Sequence, residues 1–397
     1  MNIREIRKGI YYVGVNDRTT DKFEGLWPLP YGVTYNSYIV KGEKTALIET
    51  VELGYVEEYI RHIEEVTEGK APDYVVLDHM EPDHSGGLPV ILDKYPQIKI
   101  VGNRQTISMV KGFYHIADDS RFLEVADCGC LDLGGKTLQF RLTPMVHWPE
   151  TMMTYVAEDE VLFPGDAFGC FGALSGGVVD SELELGIYWE ETYRYYSNIV
   201  GKYGRFVQRA LQKTSDLKLD YICPTHGPVW HEHISEIVSV YDRLSRYESE
   251  DGVVIVYGSM YGNTASVAEE IARQLASRGV RNIIIHDAGR SNMSNIISDA
   301  FRYKGLIVGS PTYSMHIFPP VEQFMIAMET REVKNKVFAA FGSFTWASAA
   351  LPQILDYGKK MGMEAVASFE VKQSAGPDTA ALIADMADKV VVAMKGA

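Results

Sequence analysis

The chain has 397 residues, of which 46% are hydrophobic and 23% charged, the profile of a folded protein of two or three domains rather than a disordered one. Its formal net charge of −15 argues against nucleic acid or an anionic membrane surface as a partner. No apolar run approaches the roughly twenty residues of a membrane helix, and the start, Met1 to Arg7, lacks the apolar stretch of a signal peptide, so a cytoplasmic location is expected.

The opening third reads as strands and hairpins. Tyr11 to Val15 is a strand, and Ser37-Tyr38-Ile39-Val40 and Thr45-Ala46-Leu47-Ile48-Glu49 flank a turn over 41–44. Val56, Ile60, Ile63 and Val66 recur at helical spacing, which predicts a helix over 55–68. The apolar run Tyr74-Val75-Val76-Leu77 reads as a buried strand. It leads into Asp78-His79-Met80-Glu81-Pro82-Asp83-His84-Ser85-Gly86-Gly87, a loop with five potential ligands, four of them in the pattern H-x-E-x-D-H. A loop leaving a strand end can aim several side chains at one point. Nitrogen and oxygen donors without thiolate imply a hard or borderline metal. A helix starts at 86–89, and Ile98 to Gly102 is the next strand.

Three more strand ends carry ligand-type residues: 138–146 leads into His147, 161–165 into Asp166, and 221–225 into His226. Strand ends are where such folds gather their sites. His62, in a helix, His115, and the His231-x-His233 pair are left outside this set, with surface placement expected for the pair. Trp148, Tyr195 and Tyr196 fit either a pocket wall or aromatic core. Cys128, Cys130, Cys170 and Cys223 make no C-x-x-C pair, which argues against a disulfide framework, a structural zinc site or a fused rubredoxin-type module.

A polar segment over 248–252 is the linker candidate, dividing residues 1–250 from 251–397. Beyond it five strands (253–257, 283–285, 306–308, 337–341 and 365–371) alternate with helices, implying a doubly wound parallel sheet. The first βα loop, Ser259-Met260-Tyr261-Gly262-Asn263-Thr264, opens a helix whose free N–H groups favour a phosphate. It has no Lys, unlike a nucleoside triphosphatase loop. The strand ends Pro311-Thr312-Tyr313 and Ser343-Phe344-Thr345-Trp346 add aromatic rings that can flank a flat ligand.

The order H-x-E-x-D-H, then His, Asp and His, resembles the metallo-β-lactamase superfamily, an αββα sandwich. The alternation after residue 250 resembles flavodoxin, and so FMN. Together they resemble the flavodiiron proteins over essentially the whole chain. Zinc hydrolases of that superfamily have a second His where this chain has Glu81, and an added carboxylate suits iron better than hydrolytic zinc. The resemblance implies one iron on His79, Glu81 and His147, a second on Asp83 and His226, Asp166 bridging, and His84 as a variable ligand. It implies that reduced FMN passes electrons to a diiron centre that reduces O2 to water or NO to N2O. It also implies a head-to-tail homodimer, alone or as a dimer of dimers. The donor would be a rubredoxin, another flavoprotein or reduced F420. Lys22 to Trp27 resembles a family segment near the substrate pocket, where several relatives carry His in place of Glu24. Two rivals are a zinc hydrolase fused to a flavodoxin, and an electron carrier with a degenerate front domain.

Overall fold

The computed structural model describes residues 3–396. The chain forms two compact units, Met1–Tyr196 with Tyr203–Asp242, and Ser197–Lys202 with Arg243–Ala397.

The first unit holds two sheets. One has the order β1 (Arg4–Arg7), β2 (Ile10–Tyr12), β3 (Tyr38–Lys41), β4 (Thr45–Ile48), β5 (Tyr74–Val76), β6 (Lys99–Gly102) and β7 (Phe122–Glu124). The other runs β8 (Cys130–Asp132), β9 (Thr137–Leu142), β10 (Met152–Val156), β11 (Val161–Phe163) and β12 (Tyr221–Ile222). Alternate residues of each share one core: Ile10, Tyr12, Tyr38, Val40, Ala46 and Ile48 from the first meet Leu138, Phe140, Met152, Val161 and Phe163 from the second. That period of two, with a single shared core, makes a sandwich. Its helices are α1 (Val56–Thr67), α2 (Pro82–Ser85), α3 (Leu88–Lys94), α4 (Arg104–Tyr114), α5 (Gly186–Tyr195) and α6 (Gly204–Thr214), with α7 (Ile234–Ser245) following.

The strand expected over 11–15 is broken. β2 stops at Tyr12, and Val15–Asp17 pairs instead with Val33–Tyr35. Gly14 lies between, where a Cβ would come 2.7 Å from the Asn36 Cα and the Tyr35 carbonyl, so the chain crosses there only without a side chain. The strand expected over 138–146 ends at Leu142, leaving 143–151 as a loop. β7, β8 and β10 carry no strong alternation signal and were not anticipated; they are held by pairing with their neighbours.

The second unit is a sheet of order β14-β13-β15-β16-β17, all parallel: β13 (Glu250–Tyr257), β14 (Ile283–Asp287), β15 (Tyr303–Tyr313), β16 (Val337–Phe344) and β17 (Ala365–Lys372). His316–Ile317 adds a short antiparallel strand against the end of β15. The connecting helices are α8 (Asn263–Ser277), α9 (Met293–Arg302), α10 (Pro319–Thr330), α11 (Ala350–Lys360) and α12 (Pro377–Gly396). Continuous apolar runs such as Val253 to Val256, buried on both faces, are what a parallel sheet covered by helices requires. Part of the expected linker is strand: Glu250 already pairs with Tyr303, with a register shift before Val253. Glu250, Asp251 and Gly252 read as a linker because polar residues at a strand's first turn mimic one. No described helix is long and apolar enough to cross a membrane.

Candidate metal centre and flavin site

Three strand ends of the sandwich and one loop converge. β5 ends at Val76, and the chain turns through His79 and Glu81 into the single turn of α2, which carries Asp83 and His84. The turn is fixed from behind. Glu49, at the end of β4, accepts the His79 amide at 2.9 Å, and Thr50 donates its hydroxyl to the His84 carbonyl at 2.5 Å. Ser85 donates to the Met80 and Glu81 carbonyls. Asp78 turns away from the ligands and takes the Thr154 hydroxyl at 2.7 Å, so this fifth potential ligand of the loop serves the sheet instead. Asp166 follows β11, where Gly165 has a φ of +62°, and Thr225 donates to its Oδ1 at 2.8 Å. His226 precedes Gly227 (φ +77°), where a Cβ would lie 2.4 Å from the Cys170 sulfur.

The buried side chains form two groups, His79, Glu81, His147 and Asp166, and Asp83, His84 and His226. Glu81 Oε2 stands 3.3 Å from His79 Nε2 and 3.1 Å from His147 Nε2. Asp166 Oδ2 is 3.5 and 3.0 Å from the same two nitrogens. Its other oxygen, Oδ1, is 2.9 Å from His84 Nε2 and 3.5 Å from His226 Nε2. His226 Nε2 is in turn 3.3 Å from Asp83 Oδ2. One carboxylate therefore faces both groups.

These residues fit metal ions. Both Asp83 oxygens, Asp166 Oδ2 and the Nε2 atoms of His84, His147 and His226 are buried without a hydrogen-bond partner among the described residues, although other donors and acceptors crowd them. Buried polar groups are normally satisfied. Separations of 3.0 to 3.5 Å between ligand atoms are what bonds of about 2.0–2.2 Å to a shared cation produce. The remote nitrogens are already engaged: His79 Nδ1 on Glu150 at 2.8 Å and His226 Nδ1 on the Thr34 carbonyl at 2.6 Å, which leaves each Nε2 free to ligate. Burial alone would raise the Asp166 carboxyl, but the charges and hydrogen bonds of His84 and His147 hold it well below the usual range. Burial opposes protonation of His147, yet Asp166 and Glu81 push it up to about 9. The site is thus electronegative and attracts cations.

Trp148 sets its ring edge-on to His79 at 5.3 Å, and Phe23, Tyr35 and Tyr195 pack round His226. Tyr195 and Tyr196 are fully buried. A cavity of about 470 Å³ opens beside the ligands, lined by Thr20, Lys22, Glu24 and Glu52 and reaching Glu81 and Asp83. Glu24 accepts the Trp27 indole N–H at 3.0 Å; burial and the nearby Glu81 push its carboxyl up to about 7.

The other histidines stand apart from the ligand groups, His231 and His233 partly exposed. His62 is buried in α1 with Nδ1 3.0 Å from the Val13 carbonyl, and His233 binds the buried Asp180 at 3.1 Å. Both are structural. Glu49, Glu150 and Thr34 were missed: each lies far in sequence from the ligand it holds, and nothing in a local pattern marks it.

In the second unit, Gly262 caps α8 with a φ of +94° and donates its N–H to the Ser259 hydroxyl at 3.1 Å. Thr264 lies 3.0 Å from Ser343, joining the first loop to the end of β16. Met260, Tyr261, Tyr313 and Trp346 are exposed, Tyr261 and Trp346 at 92% and 88%. Neutral hydroxyls and a helix N-terminus beside uncovered flat rings suit a phosphate joined to an aromatic ring system, as in FMN. Asn263 begins α8, Pro311 lies near the end of β15, and Phe344 closes β16 with Thr345 directly after it. Thr312 is otherwise occupied: its hydroxyl accepts the Ala349 and Ala350 amides at the start of α11.

A metal-binding β-lactamase-type sandwich followed by a flavodoxin-type domain defines the class. Residues 33–227 match the ODP family beta lactamase, and residues 255–384 match flavodoxin. The anaerobic nitric oxide reductase flavorubredoxin of Vibrio vulnificus is 32% identical, over 92% of this chain and 75% of that protein. Rubredoxin oxygen:oxidoreductase from Desulfovibrio gigas superposes with a TM-score of 0.95 at 28% identity, covering 99% of both chains. A variant of the flavo di-iron protein from Thermotoga maritima gives a TM-score of 0.90 at 25% identity, covering 98% of both. The chain belongs to the flavodiiron family and is an oxidoreductase with FMN and a diiron centre as its cofactors. A hydrolytic zinc enzyme is not favoured.

Proposed function

We propose that this protein reduces O2 to water, NO to N2O, or both, removing these gases. The observation that carries the reading is Asp166, whose two oxygens face two separate ligand groups. His79, Glu81 and His147 would hold one iron and Asp83, His84 and His226 the other, with the Asp166 carboxylate between the two groups. The iron pair, with FMN as electron relay, supplies the one-electron steps that reduction of either gas needs.

The chain's own residues do the rest. Glu81, Asp83 and Asp166 balance cation charge, while Glu150 and the Thr34 carbonyl keep His79 and His226 turned with Nε2 inward. Phe23, Tyr35, Trp148 and Tyr195 wall the site and keep bulk water away from it. The cavity past Glu24 admits a small gas molecule. Ser259, Met260, Tyr261, Gly262, Asn263 and Thr264 receive the flavin phosphate. Tyr313 and Trp346 flank the ring, with Pro311, Thr312, Ser343, Phe344 and Thr345 shaping the pocket. The functional division falls between residues 1–250 and 251–397.

A cytoplasmic, head-to-tail homodimer would bring the flavin of one chain to the iron of its partner. The test is anaerobic reduction with a rubredoxin, a flavoprotein reductase and reduced F420 in turn, followed by parallel O2 and NO consumption. Zinc in place of iron, with esterase activity and no gas consumption, would refute the reading.

A further inference from the structure

Glu150 has no place in either ligand group, yet it is among the most buried carboxylates of the chain, at 1% exposure. Its Oε1 lies 2.8 Å from His79 Nδ1 and accepts the Met80 amide at 2.9 Å. Its Oε2 is buried with no hydrogen-bond partner among the described residues. The residue is anchored through its own carbonyl, which takes the Asn103 amide group at 2.5 Å. Asn103 is fixed in turn as the N-cap of α4, accepting the Gln105 and Thr106 amides. Glu150 also belongs to the 143–151 loop that carries His147. One side chain thus ties the loops bearing two ligands of the same group.

The other group is backed differently. His226 Nδ1 faces the Thr34 carbonyl at 2.6 Å, a neutral acceptor. An imidazole whose Nδ1–H is drawn to a buried carboxylate becomes a stronger electron donor at Nε2 than one bonded to a carbonyl. A stronger donor favours the more oxidised metal.

We propose that Glu150 is a positioning residue that makes the two irons unequal, holding the iron on His79 at a lower reduction potential than the iron on His226. With iron bound, the Asp83–His84–His226 side would be the easier of the two to reduce.

The inference rests on the ligand assignment proposed above, and the experiment separates the two. Wild-type and Glu150→Gln holoprotein are assayed for iron and FMN, then titrated anaerobically while the half-reduced iron pair is followed by electron paramagnetic resonance. Glutamine keeps the shape and removes the charge. The expected result is full FMN, two irons per chain, and a several-fold smaller maximal half-reduced signal, because the two steps move together. Loss of one iron with the other retained also supports the role, since it singles out the His79 group. An unchanged signal with unchanged midpoints overturns it, as does loss of both irons, which would assign Glu150 to the fold as a whole. Asn103→Ala keeps the carboxylate and removes its anchor; a shift equal to that of Glu150→Gln would overturn the role of the charge. His79→Ala retaining both irons would sink the ligand assignment itself, whereas unmoved potentials in a two-iron Glu150→Gln protein sink only this inference.

Discussion

Asp166 stands with Oδ1 2.9 Å from His84 Nε2, while its Oδ2 turns to His147, and both residues are almost wholly buried. That contact accompanies the grouping of His84 with Asp83 and His226. It also makes Asp166 the residue on which both positions depend.

Removing it should therefore empty both. Asp166→Ala is expected to lower iron from two per chain toward none and to cut gas consumption by at least about 100-fold, since even partners behind the ligands are worth about 10–100-fold. FMN content should be unchanged. Metal analysis beside flavin absorbance reads this, and retained O2 consumption would favour an electron carrier instead.

Trp346 is 88% exposed in the second unit, a large apolar surface that a flat ligand would cover. Trp346→Ala should weaken FMN binding by about tenfold, corresponding to about 1.4 kcal/mol of stacking and burial. Fluorescence titration of the flavin-free protein measures it, and an unaltered affinity would remove Trp346 from the site.

Asp17 is a carboxylate whose protonation should be visible in stability. Burial alone would raise its pKa, but hydrogen bonds from the Thr20 and Tyr55 hydroxyls and from the Thr19 and Thr20 amides hold it down to about 2. A depressed value in the folded state means stabilisation that is complete above the unfolded value near 3.8 and is lost as pH falls through about 2. Asp17→Asn should cost about 1.5–3 kcal/mol at pH 7, the worth of hydrogen bonds to a charged group. The gap from wild type should close on the acid side. Thermal unfolding at pH 7, 4 and 3 tests the sign.

Lys336 is buried, and its ammonium donates to Ser249 Oγ at 2.6 Å and to the Phe301 and Tyr303 carbonyls at 2.7 and 2.9 Å. Lys336→Met fills the space but strands three acceptors. A loss of about 2–3 kcal/mol is expected from leaving buried polar groups unpaired, seen as a lower unfolding temperature. A neutral substitution would mean water replaces the ammonium.

The legible parts of this protein were those written in short-range pattern. Val253 to Val256 and the later apolar runs announce a parallel sheet because burial on both faces requires continuous hydrophobicity. His79, Glu81, Asp83 and His84 announce a metal loop because four ligand types fall within six positions. Harder to read were β7, β8 and β10, whose pairing with neighbours rather than strong alternation makes them strands. Asp78, a potential ligand outside the H-x-E-x-D-H set, could not be placed from the chain for the same reason: its partner, Thr154, sits on a strand 76 positions away.

By itself, then, the sequence determined the class of both domains, the ligand types and the flavin loop, since each depends on residues near one another in the chain. Only the tertiary structure decided that Asp166 faces two ligand groups with separate oxygens, that His84 joins the second, and that Glu150 stands behind His79. Those contacts join residues such as His79 and Glu150, 71 positions apart, and His84 and Asp166, brought together from different strand ends, or they separate the two oxygens of one side chain. Hydrogen bonds and ligand sets have direction and a reach of a few ångströms, and only the packed sheets supply either.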